Sequence, residues 1–437
     1  MIAAEISSSA RYANKVYYHN PSDSPARDLF QYTLCQEKVG LKEISDLPDL
    51  SGEKDQTSII ILDATLNYHS DVEDLLRKMK EKISRTTRLV VVCYNPYLRW
   101  VYLFANYIGL RKGPPPCTFL KMSDLYDLTE LAGYKIVLTK QSAFFPFHWL
   151  GIGNFFNSIG VILPLLKYLS FVTLVTMRPI KEEKGLPSLS IVIPARNEKG
   201  NIENALKRMP KFDGAKLEII FVEGHSSDDT WGEIQRVMQS YKEKFDIKAY
   251  QQQGKGKVDA VRLGFSKASS EIMTILDADL TMPPEMLERY YEAYRNGLAD
   301  FVNGSRLLYQ MEGDAMQFLN KLGNIFFAKI LSILLGVRLG DSLCGTKLVS
   351  AHDYRRMVMW RSDFGDFDPF GDFELLFPAS VLGLGIVNVP IKYLSRTYGS
   401  TNISRFYHGS ILLKMVVIGF FKVKLGKFNT RLVKERG

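Results

Sequence analysis
Cysteine is scarce. Cys35, Cys93, Cys117 and Cys344 are the only four in 437 residues, and no two form a C-x-x-C pair. Neither a disulfide framework nor a zinc knuckle is suggested, and a reducing compartment fits. An apolar opening is missing too: residues 1–30 are polar, so no secretory signal is expected and the chain is expected in the cytoplasm. Nor is there a clean apolar run of the roughly 20 residues needed to span a bilayer. The stretch Trp149 to Met177 is interrupted by Asn154, Asn157, Pro164 and Lys167, and Ile411 to Leu425 carries three lysines.

Acid is what the last part of the chain lacks. From Ser395 to Gly437 nine Lys or Arg stand against Glu435 alone, so the formal charge of +9 resides almost wholly there. A groove tracking nucleic acid would spread basic residues and aromatics over a domain, so no nucleic-acid partner is expected. A basic end points instead to anionic phosphates or a membrane surface. Ser410 to Leu425 is apolar except for Lys414, Lys422 and Lys424, which spread over roughly 160° of a helical wheel. Such a helix can lie in a membrane interface with its lysines at the headgroups, or pack on the protein with its lysines in water. The expectation is peripheral contact with the inner face of the cell membrane through a basic amphipathic tail, residues 401–437.

With 46% hydrophobic residues the remainder can bury substantial cores. Strand-like runs occur at Ser58–Leu62, Leu89–Cys93, Lys135–Thr139 and Phe171–Thr176. Between the first two, Val72, Leu75, Leu76 and Met79 recur at helical spacing, which gives a β-α-β unit of a parallel sheet. A charged, Gly- and Pro-containing bridge follows, Arg178 to Pro187, and reads as a linker. Beyond it strands at Leu189–Ile193, Leu217–Val222, Ile247–Tyr250 and Ile272–Leu276 alternate with helices at Ile202–Met209, Thr230–Phe245 and Val258–Ala268. This alternation predicts an open α/β sheet with its site at the carboxyl ends of the strands. The expected division is 1–178, a linker at 179–187, 188–400 and the tail.

Directly after the run Ile-Met-Thr-Ile-Leu come Asp277-Ala278-Asp279. In an extended segment residues i and i+2 point the same way, so both carboxylates could face one Mg²⁺ or Mn²⁺ ion and leave positions for phosphate oxygens. An isolated D-x-D is more often loop chemistry, but its neighbours change that. The earlier strands end in Pro194-Ala-Arg196-Asn-Glu198 and Glu223-Gly-His-Ser226-Ser-Asp-Asp, and Gly254-Lys-Gly-Lys257 precedes the third helix. Acidic and amide groups at successive strand ends can hold a base and ribose hydroxyls, and Gly-Lys backbone can approach phosphate.

With Asn-Gly-Ser-Arg306, Cys344-Gly-Thr-Lys347 and Gly371-Asp372-Phe-Glu374 added, residues 186 to about 400 resemble glycosyltransferase family 2, in particular its dolichol-phosphate mannose synthase-like branch. The resemblance implies the GT-A fold, a Rossmann-like mixed sheet, and an inverting transfer of sugar from a UDP- or GDP-sugar to a polyprenyl phosphate or a cell-surface glycan. It further implies that Pro194, Arg196, Glu198, Glu223, Ser226, Lys257 and Asp277 bind the nucleotide sugar, that Asp277 and Asp279 hold the metal, and that Arg306, Arg396 and Asp372 take part in catalysis. Two departures stand out: Glu223 replaces the Asp of many members, and Thr281 replaces a Gln.

Chemistry agrees with these roles and also supplies bland ones. A guanidinium fork suits a departing diphosphate, yet an arbitrary Arg is often a surface ion-pair residue. Asp372 is a candidate general base for a hydroxyl acceptor, whereas a phosphate acceptor needs none; the bland role is a cap on the helix beginning at Phe373. Glu374, in that helix's first turn, could serve the dipole alone. His225, His352 and His408 lack metal-ligand spacing. Residues from about 40 to 178 resemble the later part of a class I methyltransferase, with Ile60–Asp63 as its fourth strand and Arg88–Asn95 as its fifth. No Gly-rich loop is present for that cofactor, so a truncated, non-methylating domain is expected. A sugar-nucleotide pyrophosphorylase would need a Gly-rich N-terminal signature that is absent, and a non-catalytic scaffold would have no need of the acidic constellation.

Overall fold
The structure is a computed structural model, and it describes residues 2–21, 33–111, 113–144, 169–309, 318–365, 371–396, 398 and 405–424. Two sheets organise it. The first has the order β2-β1-β3-β4-β6-β5, built from β1 (Lys15–His19), β2 (Glu37–Leu41), β3 (Ser58–Asp63), β4 (Arg88–Tyr94), β5 (Tyr134–Ser142) and β6 (Val172–Pro179). The pairs β1/β2, β1/β3 and β3/β4 are parallel, and β6 runs antiparallel to both β4 and β5. One face carries Ile59, Ile61, Val90 and Val92 against α1 (Ile2–Ala10). The other carries Ile60, Leu62, Leu89 and Val91 against α2 (Val72–Lys82), whose first turn is capped by the Asp71 carboxylate accepting from the Asp74 N–H at 3.0 Å. Two more helices, α3 (Arg99–Tyr107) and α4 (Met122–Leu131), complete this half.

The sheet is fuller than the sequence pattern implied. Strand β1 precedes the two parallel strands recognised from sequence, and β2 lies at the edge, largely exposed, where no apolar run betrays it. The interrupted apolar stretch divides: Val172–Met177 is buried strand, and 149–168 lies outside the described residues.

The second sheet has the order β13-β11-β12-β10-β7-β8-β9. In chain order its elements are β7 (Leu189–Ala195), α5 (Ile202–Lys207), β8 (Leu217–Glu223), α6 (Thr230–Tyr241), β9 (Asp246–Gln251), α7 (Lys257–Lys267), β10 (Ile272–Ile275) and α8 (Leu287–Arg295). There follow β11 (Phe301–Ser305), α9 (Phe318–Leu335), β12 (Lys347–Ser350), α10 (Ala351–Phe364), α11 (Phe373–Val381), β13 (Ile386–Pro390) and α12 (Arg405–Gly419). Strands β10, β7, β8 and β9 are mutually parallel, and β12 is inserted antiparallel between β10 and β11. Leu189, Ile191 and Ile193 face α5, α6 and α8, while Val192, Ile220 and Val222 face α7 and the later helices. Period-two alternation in β7 thus builds a core on each side.

The segment expected as a loose linker is an interface. Arg178 is fully buried at the end of β6 and salt-bridges Asp300, at the head of β11, with Nε to Oδ2 at 2.9 Å. Arg88 reaches the same oxygen at 2.7 Å and also donates to the Gly383 carbonyl, while Arg85 pairs with Glu183 at 3.0 Å and lies over the Tyr294 ring at 3.9 Å. The Glu183 N–H donates to Arg295 O at 2.8 Å, which ties the bridge itself down. Gly385 sits where a Cβ would come within 2.6 Å of Arg178 Cδ, so the close approach of the two sheets needs glycine there.

Burial alone would raise the Asp300 carboxyl, but Arg178, Arg88 and Arg85 together hold it well below the usual carboxylate range. Its folded value is depressed, so its stabilisation is present above the unfolded value of about 4 and is lost as pH falls below that. Asp300→Asn leaves buried guanidiniums without their anion and should cost roughly 3–5 kcal/mol at neutral pH. Thermal melting against pH checks both points: the variant should melt well below the wild type at pH 7, and the gap should narrow as the pH drops beneath 4.

Candidate functional site
The carboxyl ends of β7, β8 and β10 meet the start of α7 and the segments after β11 and β13. Pro194 lies within β7, and Arg196 is exposed just past its end. The loops after β7 and β8 are knitted to each other: Asn197 N–H donates to Ser226 Oγ at 3.0 Å, Ser227 N–H to Asn197 Oδ1 at 2.7 Å, and Gly224 N–H to the Ala195 carbonyl at 2.9 Å. Asn197 and His225 both take a left-handed backbone, φ 56° in each, which turns the two loops toward one another. Glu223 is buried and its Oε1 accepts from Ser226 N–H at 2.6 Å. The longer side chain at this position therefore clasps its own loop, a use that the sequence did not disclose.

Asp277 and Asp279 lie in a turn rather than in extended chain: Leu280 N–H closes onto Asp277 O at 3.1 Å, and Leu280 has φ 51°. The expectation that both carboxylates face one way by strand alternation is thereby corrected. They remain in one site but are met by different cations. Lys257, the first residue of α7, ion-pairs with Asp277. Arg396 Nη2 reaches Asp279 Oδ2 at 2.6 Å, and Arg396 Nη1 lies 3.7 Å from Glu198 Oε1. Thr281 donates both its N–H (3.1 Å) and its hydroxyl (2.9 Å) to Asp279 Oδ1, fixing that carboxylate, and its carbonyl accepts from Leu394 N–H at 2.8 Å, which brings the segment carrying Arg396 alongside.

Electrostatics follow from these pairings. Burial would raise Asp277, but Lys257, with Lys347 and Arg306 nearby, lowers it overall. Burial would lower Lys257, but Asp277, Asp372 and Asp279 raise it. Glu198 is different. Burial and the nearby Asp279 charge raise it to about 7 against the opposing hydrogen bond from Asn201 and the charge of Arg396.

Two residues that sequence reasoning left without a role are central. Lys347, buried at the start of β12, bonds both the Asp372 carboxylate and the Cys344 carbonyl. Asp372 stands at the N-cap of α11 without a side-chain cap bond, its carboxylate being engaged by Lys347 instead. Asp341 binds Arg306 through a bidentate pair, Nε to Oδ2 at 2.7 Å and Nη2 to Oδ1 at 3.0 Å, and is itself held by Asn324 at 2.8 Å. Arg306 stands 5.3 Å over the Tyr393 ring. Lys347 was visible in the Cys-Gly-Thr-Lys run, whereas Asp341 carried no signal. Glu374 is buried between Arg262 and Arg361 and locks α11 against α7 and α10. His352 bonds Thr57 Oγ1 at 2.8 Å, far from this cluster in function, at the junction of the sheets.

Among the described residues no group of three or more His, Cys, Asp or Glu side chains could enclose a metal ion. Asp277 and Asp279 offer hard oxygen donors two residues apart, which suits Mg²⁺ or Mn²⁺ where phosphate oxygens complete the shell. The segments 366–370 and 399–404, with the Phe367–Phe370 and Gly399–Thr401 motif residues, lie outside the described residues.

Gly345 makes the Lys257–Asp277 pair possible. A Cβ there would collide with Lys257 Nζ and stand 2.6 Å from Asp277 Oδ2. Gly345→Ala should therefore push the pair apart and weaken nucleoside diphosphate binding by at least about tenfold, a displacement worth on the order of 1.4 kcal/mol. Calorimetric titration alongside far-UV circular dichroism checks this; wild-type affinity in a folded variant contradicts it.

Residues 190–352 match the family model described as Glycosyl transferase family 2. A dolichyl-phosphate hexose transferase of Haloferax volcanii is 28% identical over 239 residues, which cover 54% of this chain and 95% of that protein. A dolichol-phosphate mannosyltransferase of Pyrococcus furiosus is 33% identical over 135 residues, 31% of this chain and 37% of that one. This chain thus spans nearly all of the first relative and about a third of the second. A glucosyl-3-phosphoglycerate synthase from M. tuberculosis aligns over 55% of this chain and 81% of its own with a TM-score of 0.38 at 19% identity, too loose a likeness to assign roles to residues.

Proposed function
We propose that this glycosyltransferase moves a hexose, with inversion, from a UDP- or GDP-sugar to a polyprenyl phosphate at the inner face of the cell membrane. The observation that carries the proposal is the pairing of Asp277 with Lys257, of Asp279 with Arg396, which Glu198 shares, and of Asp372 with Lys347 at the carboxyl edge of one sheet. A diphosphate exchanges such partners readily: cations released from carboxylates turn to phosphate oxygens. Asp277 and Asp279 would hold Mg²⁺ or Mn²⁺, which when bound neutralises charge on the diphosphate leaving group. Lys257 and Arg396 then stabilise the departing nucleoside diphosphate, and Glu198, Glu223, Ser226, Pro194 and Arg196 frame the nucleoside end. Relatives named for dolichyl or dolichol phosphate support a lipid phosphate as acceptor.

Asp372 supports that choice. It is engaged by Lys347, and Lys347 and Arg306 both lie near enough to Asp277 to lower it. An anionic acceptor would take up Lys347 and Arg306 as phosphate partners and needs no base. A hydroxyl acceptor would need Asp372 free.

The test is a donor screen with Mn²⁺ or Mg²⁺ and polyprenyl phosphate, following nucleoside diphosphate release. Metal-dependent release with one donor, reduced at least about a hundredfold in Asp279→Ala, is expected. Asp372→Asn should keep most of the rate with the lipid phosphate. Loss of activity in that variant would show that Asp372 is required even with a phosphate acceptor, release only with a glycan acceptor would move the acceptor to a glycan hydroxyl, and no release with any donor would favour a scaffold.

Helix α12 packs Leu412 and Met415 into the core, so residues 405–424 are at least partly a structural helix; 425–437 lie outside the described residues. Membrane contact through Lys414 and the basic tail remains part of the proposal, supported by the charge pattern; no helix among the described residues is long and apolar enough to cross a membrane. The N-terminal sheet is read as a methyltransferase-like domain without methylating activity, supported by the absence of glycine between His19 and Gln36 after β1. Micromolar binding of S-adenosylmethionine would overturn that part.

A further inference from the structure
Helix α3 is anchored on one side and bare on the other. Its buried face is Tyr102, which stacks on Tyr94 at 4.7 Å, meets the Phe171 ring edge-on at 6.2 Å and donates to the Phe171 carbonyl. The opposite face presents Trp100 (69% exposed), Leu103, Phe104, Tyr107 (88%) and Ile108, with Leu110 (74%) just beyond. These positions follow helical spacing and cover an arc of about 140° at 100° per residue. A monomer in water gains nothing from a contiguous aromatic face of this kind.

What surrounds the face indicates what covers it. Between Lys82 and Ser123 there is no Asp or Glu, and Arg99, Arg111, Lys112 and Lys121 flank the helix in sequence. Arg99 and Lys121 are exposed. The chain that departs after Ala143 and returns at Phe171 does so beside α3: Phe171 N–H donates to Ala143 O at 2.9 Å, and Asn95, at the end of β4, donates through its side chain to Ser170 O at 2.6 Å. Residues 145–168, which lie between these two ends in sequence and outside the described residues, contain no acid, one lysine and one histidine, and are otherwise mostly aromatic and aliphatic. Trp, Tyr and Phe on one face of a helix, in a stretch of sequence whose charged residues are all cations, is the composition of an interfacial helix on an anionic bilayer. A second copy of the chain would bring the same cations against these and be repelled.

We propose that the exposed face of α3 is a docking surface for an anionic phospholipid bilayer, independent of the C-terminal tail. Two separate contacts would hold the enzyme against the membrane from both of its sheets, which one interfacial helix alone does only weakly.

The test uses the full chain and sedimentation with vesicles of phosphatidylglycerol and phosphatidylcholine, compared with phosphatidylcholine alone. Wild type should bind the anionic vesicles, and Trp100→Ser/Phe104→Ser/Tyr107→Ser should bind them at least about tenfold less, with unchanged melting temperature and unchanged nucleoside diphosphate binding. Tyr107→Asp, at a position open to solvent, carries the same test should the triple variant fold poorly. Undiminished binding in these variants, with loss only when Lys414, Lys422 and Lys424 are replaced, would overturn the proposal, as would failure of the wild type to bind. Concentration-dependent dimerisation abolished by the same substitutions, without vesicle binding, would assign the face to a second copy and overturn it equally. None of these outcomes bears on sugar transfer, which the donor screen decides separately.

Discussion
A charge taken out of water must be met by an opposite one, and Asp300 is where this constraint joins the molecule together. Its carboxylate, at the head of β11, is shared by Arg178 and Arg88 from the first sheet, with Arg85 close by. Such a cluster is not worth more than a well-packed apolar interface would be, but once present it cannot lose a member cheaply. It fixes how the two sheets meet, and β11, which starts at the residue after Asp300, ends at the residue before Arg306. The same constraint, relaxed by partial exposure, governs the candidate site, where Asp277, Asp279 and Asp372 each meet a cation. At Asp300 the pairing is sealed from water; at Asp277 and Asp279 the partners are partly open to solvent.

Much of the second sheet was legible in the sequence because its central strands are buried on both faces and read as mostly apolar runs, Leu189–Ile193 and Leu217–Val222 among them, interrupted at Ser190 and Glu218. The site's strand-end motifs followed from that frame. What stayed hidden was of two kinds. Strand β2, Glu37–Leu41, is mostly exposed and carries no apolar pattern, so nothing distinguished it from a loop. The other kind is long-range pairing. Lys347 with Asp372 and Arg306 with Asp341 join residues 25 and 35 positions apart, and spacing rules reach only a few residues. The turn at Asp277 was misread for a related reason: the alternation argument holds within β10, which ends at Ile275, and not beyond it.

The pairings also explain why short glycine motifs matter. Gly345 lets the chain before β12 pass against the Lys257–Asp277 pair, and Gly256, with φ 88°, lets Lys257 open helix α7 toward it. Thr281 replaces a longer amide yet still supplies two hydrogen bonds to Asp279. Thr281 and Glu223 thus each hold their own loop through side-chain hydrogen bonds.

The central claim is that Asp277 and Asp279 give up Lys257 and Arg396 to a metal-bound diphosphate. Calorimetric titration of UDP and GDP into the wild-type protein, with Mn²⁺ and then with chelator in excess, tests it most directly. The account expects one nucleotide to bind at least about tenfold more tightly with the metal. Equal affinity in its absence would mean that the two cations alone carry the diphosphate and that the acidic pair holds no metal.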